Sequence, residues 1–149
     1  MNILLTMSVS TCLMSGWWYH PPPNAWIIQE KSCELRLNPV LVSALVKTES
    51  NFNTKAIAKE KKVHDYSIGL MQIRVATARQ MGFSGNKNLL FKRKVNLEYG
   101  LRYLKQIAVR YHGNVKKTIS AYNAGTACRF CNQTYVKRVM NNYYKLYRQ

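Results

Sequence analysis

Acidic side chains are scarce in this chain: 6 Asp and Glu stand against 23 Lys and Arg, a formal net charge of +17 over 149 residues. That scarcity makes carboxylate chemistry easy to audit, because only Glu30, Glu34, Glu49, Glu60, Asp65 and Glu98 can supply it. Glycine and proline are also few, at 7 and 4, which excludes collagen-like and low-complexity architectures. No internal repeat and no long alternating run is present, which leaves little room for an extensive sheet. No apolar stretch reaches the roughly 20 residues that a membrane span needs. The positive charge attracts polyanions in general: nucleic acid, anionic lipid or acidic wall polymer. No paired Cys/His finger and no basic-aromatic RNA signature accompanies it, so no specific nucleic-acid partner is expected. What is present, 47% hydrophobic residues in a chain of this length, suits one globular domain with a small appendage.

Residues 1–24 differ from the rest, carrying no Lys, Arg, Asp or Glu. Ile3 to Trp18 is mostly apolar, like the core of a secretory signal, but it lacks the positive n-region of one. Val9-Ser10-Thr11-Cys12 is a poor approximation to a lipoprotein cleavage box. Pro21-Pro22-Pro23-Asn24 reads as a stiff, extended linker. Residues 1–24 are therefore expected to form an apolar leader or weak anchor followed by a linker. An irregular N-terminal arm and a misassigned start codon are the alternatives.

From Ala25 onward the patterns are helical. Asn38-Pro39 pairs an N-cap with proline at the first helical position. Val42, Leu45, Val46 and Glu49 then fall on one face. The stretch 51–65 is polar, Lys-rich and non-periodic, a loop or small hairpin. Leu70, Ile73, Ala76, Thr77 and Gln80 predict a helix over 69–81 that stops at Gly82. Asn96 can cap a helix whose stripe is Leu97, Leu101, Leu104, Ala108 and Tyr111, ending at Gly113. A short helix over 114–124 closes at Gly125. A last one runs from Thr134 to Tyr147, with Val136, Val139 or Met140, Tyr143 and Tyr147 inward. The expected fold is mostly α with one minor β-hairpin.

Glu49 continues the apolar face of Leu45 and Val46, where a helix does not normally put a carboxylate. A carboxyl held against apolar groups has its charged form disfavoured, which raises its pKa and lets it donate a proton near neutral pH. From position alone, a helix that frays by Glu49 and lets the side chain reach water is the other reading.

Four blocks follow one another in the chain. They are Leu45-Val46-Lys47-Thr48-Glu49-Ser50-Asn51-Phe52, Ser67-Ile68-Gly69-Leu70-Met71-Gln72-Ile73, Ala121-Tyr122-Asn123-Ala124-Gly125 and Tyr135-Val136-Lys137-Arg138-Val139. In this order they resemble the soluble lytic transglycosylases, the family-1 catalytic domain with a goose-type-lysozyme-like fold, over roughly residues 27–147. The resemblance implies a lysozyme-like catalytic domain over 25–149, acting on peptidoglycan glycan strands. It implies that Glu49 is the sole acid/base in cleaving the β-1,4 bond between N-acetylmuramic acid and N-acetylglucosamine. The muramyl C6 hydroxyl attacks its own C1 and leaves a 1,6-anhydro end. This agrees with a physical expectation: two-carboxylate glycosidases need a base or nucleophile beside the acid, and an internal nucleophile removes that need.

By the same resemblance, Ser67 is placed near the catalytic carboxyl or the N-acetyl group. Met71 and Gln72 line the cleft, Tyr122 orients Glu49 through its hydroxyl, Asn123 binds sugar and Tyr135 lies at the cleft. Glu98 is a minor second candidate, and Glu60, between lysines, reads as a solvated charge. One departure stands out: Asn132-Gln133-Thr134 occupies the place where the family commonly has a glutamate. No metal or organic cofactor is implied. Cys128-x-x-Cys131 has no second pair at zinc spacing. Export to the periplasm or cell envelope would let disulfides persist, with Cys33 to Cys128 or Cys131 as the expected bridge. A phage virion or phage lysis protein is the alternative location. The partners expected are the glycan strands and a trans-envelope secretion or conjugation assembly or phage particle, with the chain itself a monomer. Two rival functions remain: a hydrolytic lysozyme that positions water with Asp65, and a non-catalytic wall-binding module.

Overall fold

The computed structural model describes residues 2–4, 8–14, 21–60, 64–125 and 132–147. Its helices are α1 (Val9–Met14), α2 (Ala25–Glu34), α3 (Pro39–Ser50), α4 (Val75–Gln80), α5 (Arg93–Arg110), α6 (Val115–Ala124) and α7 (Gln133–Tyr147). Three short strands, β1 (Ile57–Glu60), β2 (Asp65–Ile68) and β3 (Ile73–Arg74), form an antiparallel sheet in that order. A 3-10 turn, Lys87–Phe91, leads into α5. The mostly α expectation holds, and the minor hairpin has grown by a third strand. None of the described helices is long and apolar enough to cross a membrane.

The N-cap at Asn38 behaves as its sequence implies. Its Oδ1 accepts from the backbone N–H groups of Val40 and Leu41, at 3.0 and 3.1 Å, and Pro39 follows. Eight consecutive residues, Pro39–Val46, are buried. α3 is thus the central helix, enclosed all round for two turns, with α2 on one side and α7 along the other. The main core joins Leu41, Leu45, Leu97, Leu101, Ile119 and Val139, among others, and a second cluster sits under the sheet around Ile68, Ile73, Phe83 and Leu90.

Three readings of local structure are corrected. The helix expected over 69–81 begins only at Val75. Gly69 and Gln72 both have positive φ, 74° and 44°, which breaks the helix and makes 69–72 a turn between β2 and β3. Leu70 and Ile73 are buried, as a helical stripe would bury them, so periodicity alone could not separate the two cases. Asn96 caps nothing: α5 starts at Arg93 and Asn96 is buried within it. On α7, Tyr147 is 63% exposed, and Tyr135 and Leu146 are the inward residues missing from the expected stripe. The bulk of the reading for α5 and α6 holds, with Asn114 capping α6 through the N–H of Lys117.

Residues 2–4 lie against the domain. The Ile3 N–H donates to Gly113 O at 3.1 Å, Ile3 O accepts from the Asn38 N–H at 2.9 Å, and the Ile3 side chain is fully buried in the main core. α1 packs on α2, and Cys12 is bonded to Cys33. The expected pairing of Cys33 with Cys128 or Cys131 is corrected accordingly. It assumed that 1–24 stood apart from the domain, whereas α1 brings Cys12 within a Cα–Cα distance of 5.8 Å. Cys128 and Cys131, like Trp17-Trp18, lie outside the described residues. The bridge closes a sequence separation of 21 residues. Replacing both Cys12 and Cys33 by Ser is therefore expected to cost about 3 kcal/mol of unfolding free energy, read by urea titration.

Candidate active site

Glu49 sits in the last turn of α3, just before Asn51 and Phe52, whose φ values of 49° and 63° turn the chain away. Its neighbour Ser50 fixes that turn, donating through Oγ to Leu70 O at 2.8 Å. The end of α3 is thereby tied to the 69–72 turn, and the first two sequence blocks meet. Two cavities open on either side, of about 790 and about 470 Å³, and Glu49 and Gln72 line both. The larger is walled by the end of α3, residues 51–57 and α7. The smaller runs between the sheet, Tyr103 and the end of α6. Together they form a cleft with a carboxyl at its midpoint.

Burial raises the Glu49 pKa to about 7. A hydrogen bond from the Tyr135 hydroxyl and the Arg138 guanidinium pull it down in part, and the Glu60 charge pushes it up. Tyr135, in the first turn of α7, donates its hydroxyl directly to Glu49 Oε1. Its own pKa is raised by burial and by the carboxyl, so it stays a donor. Asn132 sets its place: Oδ1 accepts from the Tyr135 N–H at 2.9 Å, and Nδ2 donates to Asn123 Oδ1 at 2.7 Å. The departure at Asn132-Gln133-Thr134 is thus a helix cap that joins α6 to α7.

The other expected residues divide. Gln72 is in the cleft, its Nε2 donating to Gly69 O and Ala56 O at 3.0 and 3.2 Å. Ser67 and Asn123 line the smaller cavity. Tyr122 lines it too, but its hydroxyl donates to Met71 O at 2.8 Å and does not orient Glu49. Tyr135 holds that role. Met71 is corrected: its side chain is 0% exposed, packed against Gly100 in the core, where a Cβ would lie 2.5 Å from its Sδ. What Met71 offers the site is its backbone. Glu98 is also corrected, being 41% exposed and paired with Arg102 on α5. Asp65 is engaged: Oδ2 accepts from the Ala76 N–H at 3.1 Å and lies 3.3 Å from Arg74 Nε, and Oδ1 accepts from the Tyr66 N–H.

Two residues were missed. Glu60 lines the smaller cavity and accepts from Ser67 Oγ at 2.9 Å. It pairs with Asp65, as Ala58 pairs with Ser67 and Ser67 with Arg74, so Ala58, Glu60, Ser67 and Arg74 share the face turned to the cleft. The signal, alternation across a hairpin, needed the register before it could be seen. Asn96 is the other. From inside α5 it donates to Ile68 O and Leu90 O at 2.7 and 2.8 Å and accepts from the Met71 N–H at 2.9 Å, holding the 69–72 turn.

With this geometry in place, the comparisons with known proteins converge. A family model, the transglycosylase SLT domain, matches residues 26–145. Among solved structures, the chain is similar to an inactive mutant of the lytic transglycosylase Slt from Pseudomonas aeruginosa, at 23% identity and a TM-score of 0.68 over 83% of this chain and 24% of that one. It is similar to the 70 kDa soluble lytic transglycosylase from Escherichia coli, at 18% identity and a TM-score of 0.61 over 96% of this chain and 31% of that one. A complex of a 70 kDa soluble lytic transglycosylase with bulgecin A matches at 19% identity and a TM-score of 0.62 over 84% of this chain and 21% of that one. The chain thus spans between a fifth and a third of the length of these proteins.

Proposed function

The chain belongs to the transglycosylase SLT domain family, and on that premise we propose that it is a peptidoglycan lytic transglycosylase with Glu49 as acid and then base. The observation that carries the reading is the Glu49 carboxyl at the middle of the cleft, lifted to a pKa of about 7 and held by Tyr135. Protonated, Glu49 gives its proton to the glycosidic oxygen as the C1–O bond breaks. Ionised, it takes the proton of the muramyl C6 hydroxyl as that oxygen closes on C1. A 1,6-anhydro end results and no water is consumed, so no second carboxylate is required. Asp65 is poorly placed for the hydrolytic alternative, its oxygens being engaged by backbone N–H groups and Arg74. A hydrolase on this scaffold would instead draw on Glu60. The place of action is the cell envelope, opened locally for a trans-envelope assembly or a phage particle, and the +17 charge favours residence on an anionic wall.

Mass spectrometry of the fragments released from purified peptidoglycan tests the reading. Ends one water lighter than reducing ends are expected, and none from Glu49→Gln. Reducing ends would replace transglycosylation by hydrolysis; no fragments would leave a wall-binding domain. Tyr135→Phe provides a finer check. Loss of its hydroxyl removes a contact that favours ionised Glu49, so the fall of activity at alkaline pH should move to higher pH, with kcat down about ten-fold. An unmoved profile would detach Tyr135 from the proton transfer.

A further inference from the structure

Two of the six acids, Glu49 and Glu60, line the smaller cavity. Glu60 stands in the run Lys59-Glu60-Lys61-Lys62, yet it is the one residue of β1 that is not exposed. The register turns it inward: Ala58 lies opposite Ser67 and Glu60 opposite Asp65, so Ala58 and Glu60 share the cleft face while Lys59 takes the other. Among the described residues Glu60 forms no ion pair within 4.0 Å, the pairs there being Lys31–Glu34, Arg74–Asp65 and Arg102–Glu98. Its partner is a hydroxyl. Ser67 Oγ donates to Glu60 Oε1 at 2.9 Å, and Ser67 is itself buried and lines the same cavity. A serine hydroxyl has one proton and two lone pairs. With the proton given to Glu60, only lone pairs are left to face the cavity. A glycan presents donors, in its acetamido N–H and hydroxyl groups, and acceptors, in its acetamido carbonyls. A carbonyl oxygen set against Ser67 would meet lone pairs; an N–H or O–H would find an acceptor.

We propose that Glu60 is a positioning residue of the cleft: it fixes the Ser67 hydroxyl as an acceptor, so that the smaller cavity seats its sugar with an N–H or O–H, and not a carbonyl oxygen, against Ser67. This rests on the reading of the cleft as a glycan site. Glu60 acts on Glu49 as well, its charge opposing ionisation of the acid.

The experiment measures binding of soluble peptidoglycan glycan oligomers, with Glu49→Gln as a non-cleaving background. Adding Ser67→Ala should weaken binding about five-fold, the worth of one hydrogen bond, and adding Glu60→Ala should weaken it as much. Both together should lose no more than either alone, because they remove the same contact. Glu60→Gln, whose amide oxygen still accepts from Ser67, should restore binding. A second readout uses the cleaving protein. There Glu60→Gln removes a charge that keeps Glu49 protonated, so the alkaline fall of activity should move to lower pH, opposite in direction to Tyr135→Phe. Asp65 and Arg74 of the sheet, Tyr103 of α5, Tyr122 of α6, and Tyr135 and Arg138 of α7 also face the two carboxyls, and that variant leaves them in place. Additive losses, a Glu60→Ala protein that binds like its parent, no rescue by Glu60→Gln, or an alkaline fall that stays put would overturn the proposal. Binding needs no turnover, so the two readings fail separately. A wild-type chain that releases anhydro fragments while Glu60→Ala binds like its parent loses only the role of Glu60. One whose binding depends on Glu60 and Ser67 as expected but releases nothing loses only the transglycosylase.

Discussion

Glu49→Gln is expected to abolish glycan cleavage and, at pH 8, to make the folded protein more stable. The activity loss should be on the order of a thousand-fold or more, because the group that protonates and deprotonates is the same one. The stability gain follows from linkage. The carboxyl titrates near 4.5 in the unfolded chain and near 7 in the fold, where burial disfavours its charge. Between those values the folded state holds the extra proton. Stability is therefore undiminished below pH 4.5 and declines as pH rises toward 7, remaining reduced above it. The interval corresponds to about 3 kcal/mol, an upper bound because Glu49 borders an open cleft. Glutamine carries no charge and still accepts from Tyr135. Thermal melts at pH 4 and pH 8 should show a higher Tm for the variant at pH 8 only. A variant less stable at both would mean that Glu49 is not held against its own charge.

Asn96→Ala should be the most damaging substitution away from the carboxyl. It leaves the Ile68 and Leu90 carbonyls and the Met71 N–H without partners in a buried site. At about 1–3 kcal/mol for each orphaned group, with partial relaxation, the loss is about 4 kcal/mol, or about 10 °C in Tm. Catalysis should suffer as well at temperatures where the variant stays folded. The 69–72 turn carries Gln72 into the cleft and offers Met71 O to Tyr122, and small displacements of positioning groups cost rate. We expect kcat/KM down about ten-fold at 15 °C, with the alkaline fall of activity at the same pH, since Glu49 keeps its surroundings. A variant with wild-type melting would show that the turn stands without Asn96.

Why Glu49 was visible in the sequence and Glu60 was not is a matter of period and length. Glu49 closes a helical stripe that starts at a capped Asn38-Pro39, and two turns of pattern suffice to place it on the inner face. Glu60 lies on a strand of four residues flanked by lysines, where alternation has too few repeats to register and the composition imitates a solvated loop. Met71 was misplaced for the opposite reason. Its block names the cleft correctly, but in a turn with two positive φ values successive side chains diverge. Gln72 points out to the cleft and Met71 into the core. Asn96 looked like a cap because asparagine favours caps. Its actual partners lie 6, 25 and 28 residues away, beyond any local rule.

The placement of Ile3 bears on the order in which the chain can fold. Its N–H needs Gly113 and its carbonyl needs Asn38, so the same residue takes part in one medium-range and one very long-range closure. During synthesis Cys12 can meet Cys33 as soon as α1 and α2 exist, and Ile3 can dock beside Asn38 soon after. The opposite edge of Ile3 stays open until α5 has been completed and its C-terminal turn formed. Loop-closure entropy rises only slowly with length, so the delay costs little at equilibrium, but it raises the contact order and postpones the last closure. The core is therefore sealed late, by its earliest residues, and the interval before sealing is when Ile3 is open to chaperones or to aggregation.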